Sequence, residues 1–479
     1  MRRPLCVFCV GTLGVELVCA FLPQTGLLLP FAAFFVPALL WLLFGKNSRG
    51  YGVCLLLGAL TGLLLTAHTR QKLDRVHTAY ADREVTLTAE VEEVSASYYP
   101  GVVHAVLRVE PTGGEKTAFR VECVCMPKCT AGERVQARFA LEVPARTQQL
   151  SSYADGIALS GEYLSGMKHL GLSESFRAKT ARLQRRLSAA LRKGMAQGPA
   201  GVLAAMVLGD RTHLSKDLRS AYRAAGLSHV LVVSGMHVSI LCGSVFSKYL
   251  PEKKRRERSY ASRRRQALFS AAMALLLAGV TGLTPSVLRA ATAVWVSALG
   301  VWVYGPPDAL TSLGVAGVWM TLGNSYAVCD IGFELSFAAV LGTLAGAELA
   351  RKSRRFPLLR NGVWETLCVS ACASAATFPV LVLRGLSASL YALVSSVAVL
   401  WLVEPVLQLG LATALLGCWP ALAPLHRACS LCAATLAGCL NRWALWVSGW
   451  PGAQIYFDTA CAALVCLLLL GLGWLAYHW

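Results

Sequence analysis

The sequence predicts a multi-pass α-helical membrane protein with a small extracytoplasmic β-barrel domain inserted after its first spans. Two features carry that prediction. Apolar runs near 20 residues recur along the chain with basic loops between them, and one segment switches to two-residue alternation. Of the 479 residues, 55% are hydrophobic and only 15% charged, which marks a polytopic membrane protein. The formal charge of +19 fits nucleic acid, anionic lipid or a cytoplasmic excess of Lys and Arg, so its placement decides. The 17 cysteines are no disulfide scaffold, because most, including Cys54, Cys242, Cys368, Cys372, Cys432 and Cys466, fall in apolar segments as small hydrophobes.

From the start, residues 5–22 follow Arg2 and Arg3. They lack the small-x-small cleavage site of a signal peptide and read as a span. Residues 26–44 and 50–69 read as the next two spans, with Lys46 and Arg49 between them on the side that positive residues prefer. This puts the N-terminus in the cytoplasm, Arg70 outside, and residues 1–69 in an N-terminal membrane domain.

Residues 70–170 change character. Val85-Leu87-Ala89-Val91, Val103-Ala105-Leu107-Val109, Phe119-Val121-Cys123 and Val135-Ala137-Phe139-Leu141-Val143 alternate with polar residues, so each predicts a strand with one buried face. A last strand is expected near 157–164, and five short strands suit a small barrel. Tyr98, Tyr99, Arg120 and Arg138 are its candidates for holding a single strand of nucleic acid, against a purely structural cap. Cys123, Cys125 and Cys129 in CVCMPKC leave three readings open: a disulfide, buried free thiols, or an incomplete zinc set.

Residues 171–225 form a basic amphipathic and lead-in segment. Phe176, Thr180, Leu183, Leu187 and Leu191 share one helix face, and Arg177, Arg182, Arg185, Arg186, Arg192 and Lys193 lie on or beside the other. A helix lying on anionic lipid and a phosphate guide at a channel mouth are both consistent with this pattern, and Arg185 and Arg186 are further candidates for nucleic acid.

The stretch 225–246, AGLSHVLVVSGMHVSILCGSVF, is apolar enough for a membrane yet carries two histidines and several small polar residues. Read as one helix, it stacks His229, Val233 and His237 along one side, beside a strip of small residues that includes Gly235. The histidines would then stand roughly 12 Å apart, too far for one shared metal unless the helix breaks at Ser234-Gly235. Polar groups at membrane depth are costly, about 2.5–3.5 kcal/mol for a central charge, so this helix either packs against protein or lines a wet path.

The loop that follows, PEKKRRERSYASRRRQ, is the most basic run of the chain and is expected in the cytoplasm. Spans near 267–283, 286–304, 308–323 and 328–349 return the chain to that side at RKSRRFPLLR. Spans at 362–383, 387–403 and 405–419, an interfacial segment at 426–447 and a last span at 459–477 complete the reading. Arg289, Asp330 and Glu334, together with Arg384 and Glu404, are charges at or near membrane depth. They form either a neutralised internal network or a polar path.

Certain chemistries drop out. There is no G-x-x-x-x-G-K-[ST] phosphate loop, and the nine histidines form no H-x-H or H-E-x-x-H arrangement. Ser234 with His237 lacks the G-x-S-x-G elbow of a serine hydrolase. The reading is transport without catalysis, with no cofactor and no metal.

GLSHVLVVSGMHVSIL resembles the signature of the ComEC/Rec2 family of competence proteins. VLAAMVLGDRTHLSKDLRSAYRAAGLSH upstream and TPSVLRAA, DIGFELSFAAVLG and SAATFPVLVLRGLSAS downstream resemble its other motifs in the same order. The resemblance covers roughly residues 25–410. It departs where LVSSVAVLWLVEPV stands in place of a segment with Asn and Pro, and the C-terminal metallo-β-lactamase-like domain of larger members is not expected in this chain.

The resemblance implies an OB-like barrel and a channel, residues 226–479, that carries single-stranded DNA across the cytoplasmic membrane during natural transformation. His229, Ser234, Gly235, His237, Arg289, Asp330 and Glu334 are the candidate pore lining. The implied partners are single-stranded DNA, membrane lipid, an external DNA receptor, an internal motor or DNA-binding protein, a separate nuclease and a second copy of the chain. An intramembrane metal or acid-base enzyme, or a transporter of another anionic substrate, is the alternative.

Overall fold

The computed structural model describes residues 3–21, 28–44, 49–96, 101–110, 118–233, 235–241, 260–303, 308–353 and 362–456. The first apolar runs are helices: α1 (Pro4–Phe21), α2 (Leu28–Phe44) and α3 (Arg49–Tyr80). In α1 and α3 small residues meet. A Cβ on Gly58 would stand 2.1 Å from the Phe8 carbonyl oxygen and one on Gly62 2.5 Å from that of Thr12, and the Thr12 hydroxyl donates across to Gly58 O at 3.1 Å. This is the small-xxx-small packing of membrane helices, where close backbones replace a hydrophobic drive. The outer faces carry exposed Leu57, Leu60 and Leu64, as lipid contact requires.

Helix α3 runs on to Tyr80 and passes into the barrel after only two residues. The strands are β1 (Arg83–Ala96), β2 (Val102–Val109), β3 (Phe119–Pro127), β4 (Glu133–Glu142) and β5 (Ile157–Leu172), closed in the order β1-β2-β3-β5-β4. All neighbours are antiparallel except β3 and β5, so this is the five-stranded OB-like arrangement. The alternation predicted from sequence sets the core: Leu87, Ala89, Val91, Leu107, Val109, Val121, Val135, Phe139 and Leu141 all point inward. Strand β5 is twice as long as its apolar alternation suggested. Its second half, out to Leu172, is exposed and held by backbone pairing to β4, which no hydrophobic pattern reports.

The barrel is mounted on its own unit's helices. A short helix α4 (Gln149–Ala154) before β5 rests on a 3-10 turn, Ser325–Cys329. Asn324 caps that turn with its side-chain oxygen, and its amide donates to Tyr153 O at 2.6 Å; His77 Nε2 in α3 lies 3.0 Å from Ala158 O.

The helices α10 (Tyr260–Val280), α11 (Pro285–Trp302), α12 (Ala309–Thr321) and α13 (Ile331–Ser353) fall close to the predicted spans. At 13 residues α12 is about 20 Å long, short of a hydrocarbon core of about 30 Å. The basic run before α10 continues into it: Arg264 lies 4.7 Å from the Tyr260 ring centre and 4.9 Å from that of Trp302.

Helix α13 pairs with α14 (Gly362–Leu383), where Gly342 and Gly346 would place a Cβ 2.5 and 2.6 Å from the carbonyl oxygens of Cys372 and Cys368. The two spans expected at 387–403 and 405–419 are instead one helix, α15 (Ala392–Leu416), with Pro405 inside it. Proline removes one backbone bond but does not end a helix whose neighbours satisfy the freed group. The segment read as interfacial is the 26-residue helix α16 (Ala423–Ser448), which packs on α15 and on α6 (Gln197–Leu208) and α7 (Lys216–Ala224). Its Asn441 accepts a buried hydrogen bond from Tyr222 at 2.9 Å. The last predicted span, 459–477, lies outside the described residues.

Helix α5 (Phe176–Arg192) carries the basic amphipathic pattern, but its apolar face is divided. Leu187 and Leu191 are buried, with Gln184 donating to Leu208 O at 2.6 Å, whereas Phe176 and Leu183 are exposed. Protein rather than lipid covers the second half of the stripe.

Five described helices are long and apolar enough to cross a membrane: α1, α3, α13, α14 and α15. The chain is thus a multi-pass helical membrane protein with a small barrel domain. It divides into two units, residues 1–183, 251–283 and 288–330 forming one and residues 184–250, 284–287 and 331–479 the other.

Candidate functional site

The second unit holds the signature stretch, and it is not the continuous helix that its hydropathy predicts. Helix α7 ends in a Schellman cap: Gly226 adopts φ +73°, its N–H donates to Arg223 O at 3.0 Å, and Leu227 N–H donates to Tyr222 O at 2.8 Å. A four-residue turn, α8 (Ser228–Leu231), follows; Val232 is extended, and a short helix α9 (Gly235–Ser239) resumes. The β-branched run Val230, Val232 and Val233 ahead of Gly235 has weak helix propensity, and Leu227, Val230, Leu231 and Val233 are buried by tertiary packing. His229 and His237 therefore do not stack on one face. His229 in α8 is exposed, Gly235 is exposed, and His237 is fully buried. Ser234 lies outside the described residues.

The same unit contains the Glu334 pair. Arg384, just beyond α14, donates through Nε to Glu334 Oε2 at 3.0 Å and through Nη2 to Oε1, a two-pronged bond with both side chains 19% exposed. Glu334 is in the first turn of α13, where a carboxylate also complements the helix dipole.

The first unit holds the other charged candidates. Arg289 in α11, 6% exposed, lies 3.6 Å from Asp330, so both acids named from sequence are matched by an arginine. On the barrel, β1 bulges between Val91 and Glu93, and the bulged residue Glu92 turns into a nest of three guanidinium groups: Arg120 at 2.6 Å, Arg177 at 3.3 Å and Arg108 at 3.6 Å. Glu92 is only 3% exposed while Arg108 and Arg177 are nearly half exposed, which leaves a local charge excess facing outward. Arg120 also donates to Asp155 O at 2.9 Å. Burial, with Asp330, Glu93 and Glu122 nearby, pushes the Asp155 carboxyl up to about 6.

The remaining barrel candidates are less concentrated. Arg138 pairs with Glu84 at 2.7 Å on the surface, Tyr98 and Tyr99 lie outside the described residues, and Arg185 and Arg186 are exposed on α5, in the other unit. Sequence reasoning missed Glu92, whose role depends on the bulge, and Gly226, whose signal was a glycine directly after an amphipathic helix.

Cys123, Cys125 and Cys129 are free thiols, with Cys123 and Cys129 in the barrel core and Cys125 exposed. Burial and the neighbouring Cys129 push the Cys123 thiol up to about 12; burial and Glu133 push Cys129 up to about 11. Thiolate is the reactive form, so maleimide at mildly alkaline pH should modify Cys125 in the folded chain and spare Cys123 and Cys129 until denaturant is added. Peptide mapping reads this directly, and modification of Cys123 in the native protein would contradict the packed core. Among the described residues no three His, Cys, Asp or Glu side chains converge as a metal site.

The profile of the family described as Competence protein matches residues 206–479. Over 208 residues, 43% of the chain, the sequence is 25% identical to ComE operon protein 3 of Bacillus subtilis (strain 168). That match spans only 25% of the relative's own length. No solved structure matches the chain. The family match takes in the whole signature stretch, helices α10 to α16 and the Glu334–Arg384 pair, and the chain belongs to the ComEC/Rec2 family of competence proteins.

Proposed function

We propose that the chain is the membrane channel through which single-stranded DNA crosses the cytoplasmic membrane, with the N-terminus in the cytoplasm and the barrel outside. The observation that carries this reading is the interrupted signature stretch. Non-helical backbone at membrane depth is tolerated where protein buries it or where it lines a wet cavity, and transporters place their substrate sites at such breaks. His229 and Gly235, both exposed beside the break, are the lining; His237, fully buried two residues into α9, positions it.

Charge arrangement supports passage of a polyanion. Asp330 and Glu334 would repel phosphate if bare, and each is neutralised by an arginine. The outward charge at Arg108, Arg120 and Arg177 gives the barrel a first contact for a phosphate backbone. Membership in a competence family ties the chain to DNA uptake. An external receptor, an internal motor and a separate nuclease complete the proposed path. The domain division is taken as 1–69 spans, 70–170 barrel, 171–225 lead-in helices and 226–479 channel.

The test is entry of labelled DNA into the cytosol of cells carrying wild type, a deletion or His237→Ala, with membrane insertion checked in each. Deletion should abolish entry while surface-bound DNA remains, and His237→Ala should lower it by about tenfold or more, equivalent to about 1.4 kcal/mol. Unchanged entry in the deletion strain would assign the chain another substrate, and metal analysis of the purified protein would then test the enzyme alternative.

A further inference from the structure

Glu16 is the one charged residue between Pro4 and Phe21, in the middle of an otherwise apolar span. It does not face lipid or water: it is 1% exposed, on the buried stripe of α1 that includes Thr12, Val15, Cys19 and Ala20. Neither of its carboxyl oxygens receives a hydrogen bond, and no ion pair reaches it among the described residues. An ionised carboxylate in that position would be stripped of water with nothing in return, a cost of several kcal/mol.

The elements packed against α1 are α2, α3, α12 and the 3-10 turn. Helix α2 has no charged residue. On α3 the nearest cation is Arg70, whose Nη2 donates to Cys19 O at 2.8 Å; His68 is exposed, Lys72, Asp74, Arg75 and His77 lie further along the helix, and Arg49 is at its opposite end. On α12, Asp308 is at the far end, paired with Arg3 at 3.3 Å, roughly 20 Å from Glu16 along α1. The turn contributes Tyr326, 5.5 Å from Tyr153 between ring centres, and the buried Cys329. Within α1 itself the other titratable groups are Cys6, Cys9 and Cys19.

The hydroxyls around the carboxyl bear on its protonation. The carboxyl faces the hydroxyl of Thr321, which is fully buried and already donates to Val318 O at 3.1 Å. On α3 the Thr66 hydroxyl donates to Gly62 O at 2.8 Å and that of Thr69 to Leu65 O at 2.9 Å. Thr12 donates to Phe8 O and Gly58 O, each at 3.1 Å. Each of these hydroxyls has a backbone carbonyl within reach of its own proton, so each can turn a lone pair toward the carboxyl. With neither a hydrogen bond nor an ion pair to the carboxyl among the described residues, the neutral form avoids the cost of a bare buried charge.

We propose that Glu16 is a proton-binding site, its carboxyl held as the neutral acid beside Thr321 within the α1, α3 and α12 packing. The proton is lost only when that packing opens and water reaches the group. Lower pH therefore favours the closed packing and higher pH the open one. The site does not depend on what the chain transports.

Infrared difference spectra of the purified full chain, wild type minus Glu16→Gln at neutral pH in H2O and D2O, test this. The expected result is loss of one protonated-carboxyl carbonyl band that shifts in D2O. Loss of an ionised carboxylate band instead would overturn the proposal. A second readout is stability. The amide keeps the shape, the neutrality and a donor, so Glu16→Gln should insert and unfold as wild type does, and failure to insert would show that the negative charge itself is required.

Discussion

Gly226→Ala should destabilise the second unit by about 3 kcal/mol, read as a lower unfolding temperature of the purified protein. Two effects add at this position. The backbone sits at φ +73°, where an L side chain costs about 1–2 kcal/mol, and a Cβ there would come within 2.4 Å of the Ala392 Cβ and 2.6 Å of its Cα. That contact is with the N-terminal turn of α15 rather than a flexible tip, so the helix itself would have to move. Gly385 provides the control: its φ is +64° but nothing lies within 4 Å of where a Cβ would stand, so Gly385→Ala should show the strain alone, about 1 kcal/mol. Thermal unfolding of the two variants in one detergent separates the effects, and equal losses would mean that the Gly226 contact has no energetic role. Because Gly226 opens the signature stretch, DNA entry should fall with stability.

Removing one partner of the Glu334–Arg384 pair should cost about 3–5 kcal/mol, since it strands a charge in a low-dielectric setting. Glu334→Gln leaves the guanidinium group, and Arg384→Met leaves the carboxylate. The double variant should recover a substantial part of the loss, because with both groups neutral no buried charge is left unpaired, and the pair itself contributes little beyond a well-packed apolar replacement. Chemical denaturation of wild type, both single variants and the double variant gives the coupling energy. Strict additivity of the single losses would show that the two side chains do not act as a pair. If the pair also masks acid from a passing polyanion, Arg384→Met should depress DNA entry more than Glu334→Gln at matched stability. It is the variant that leaves a bare carboxylate.

The sequence by itself determined the membrane class, the place of the barrel and its inward residues, because hydrophobic periodicity is a local signal that burial must obey. The alternating residues of β1 to β4, such as Leu87, Val91, Leu107, Val121 and Phe139, form the barrel core; 331–353 and 362–383 are apolar and form a helical hairpin. It also determined which residues were chemically unusual for their depth, since His229, His237, Arg289, Asp330 and Glu334 stand out against apolar neighbours in one dimension. Only the tertiary structure decided how those residues are used. The break between α8 and α9 arises because packing of Leu227, Val230 and Val233 outweighs the helical hydropathy pattern, and the partners of Asp330 and Glu334 come from 41 residues upstream and 50 downstream. Glu92 faces three arginines because a bulge turns it, and Glu16 lies buried with no hydrogen-bond partner among the described residues. Pairing, burial and backbone breaks depend on groups far apart in the chain, and only folding brings those groups together.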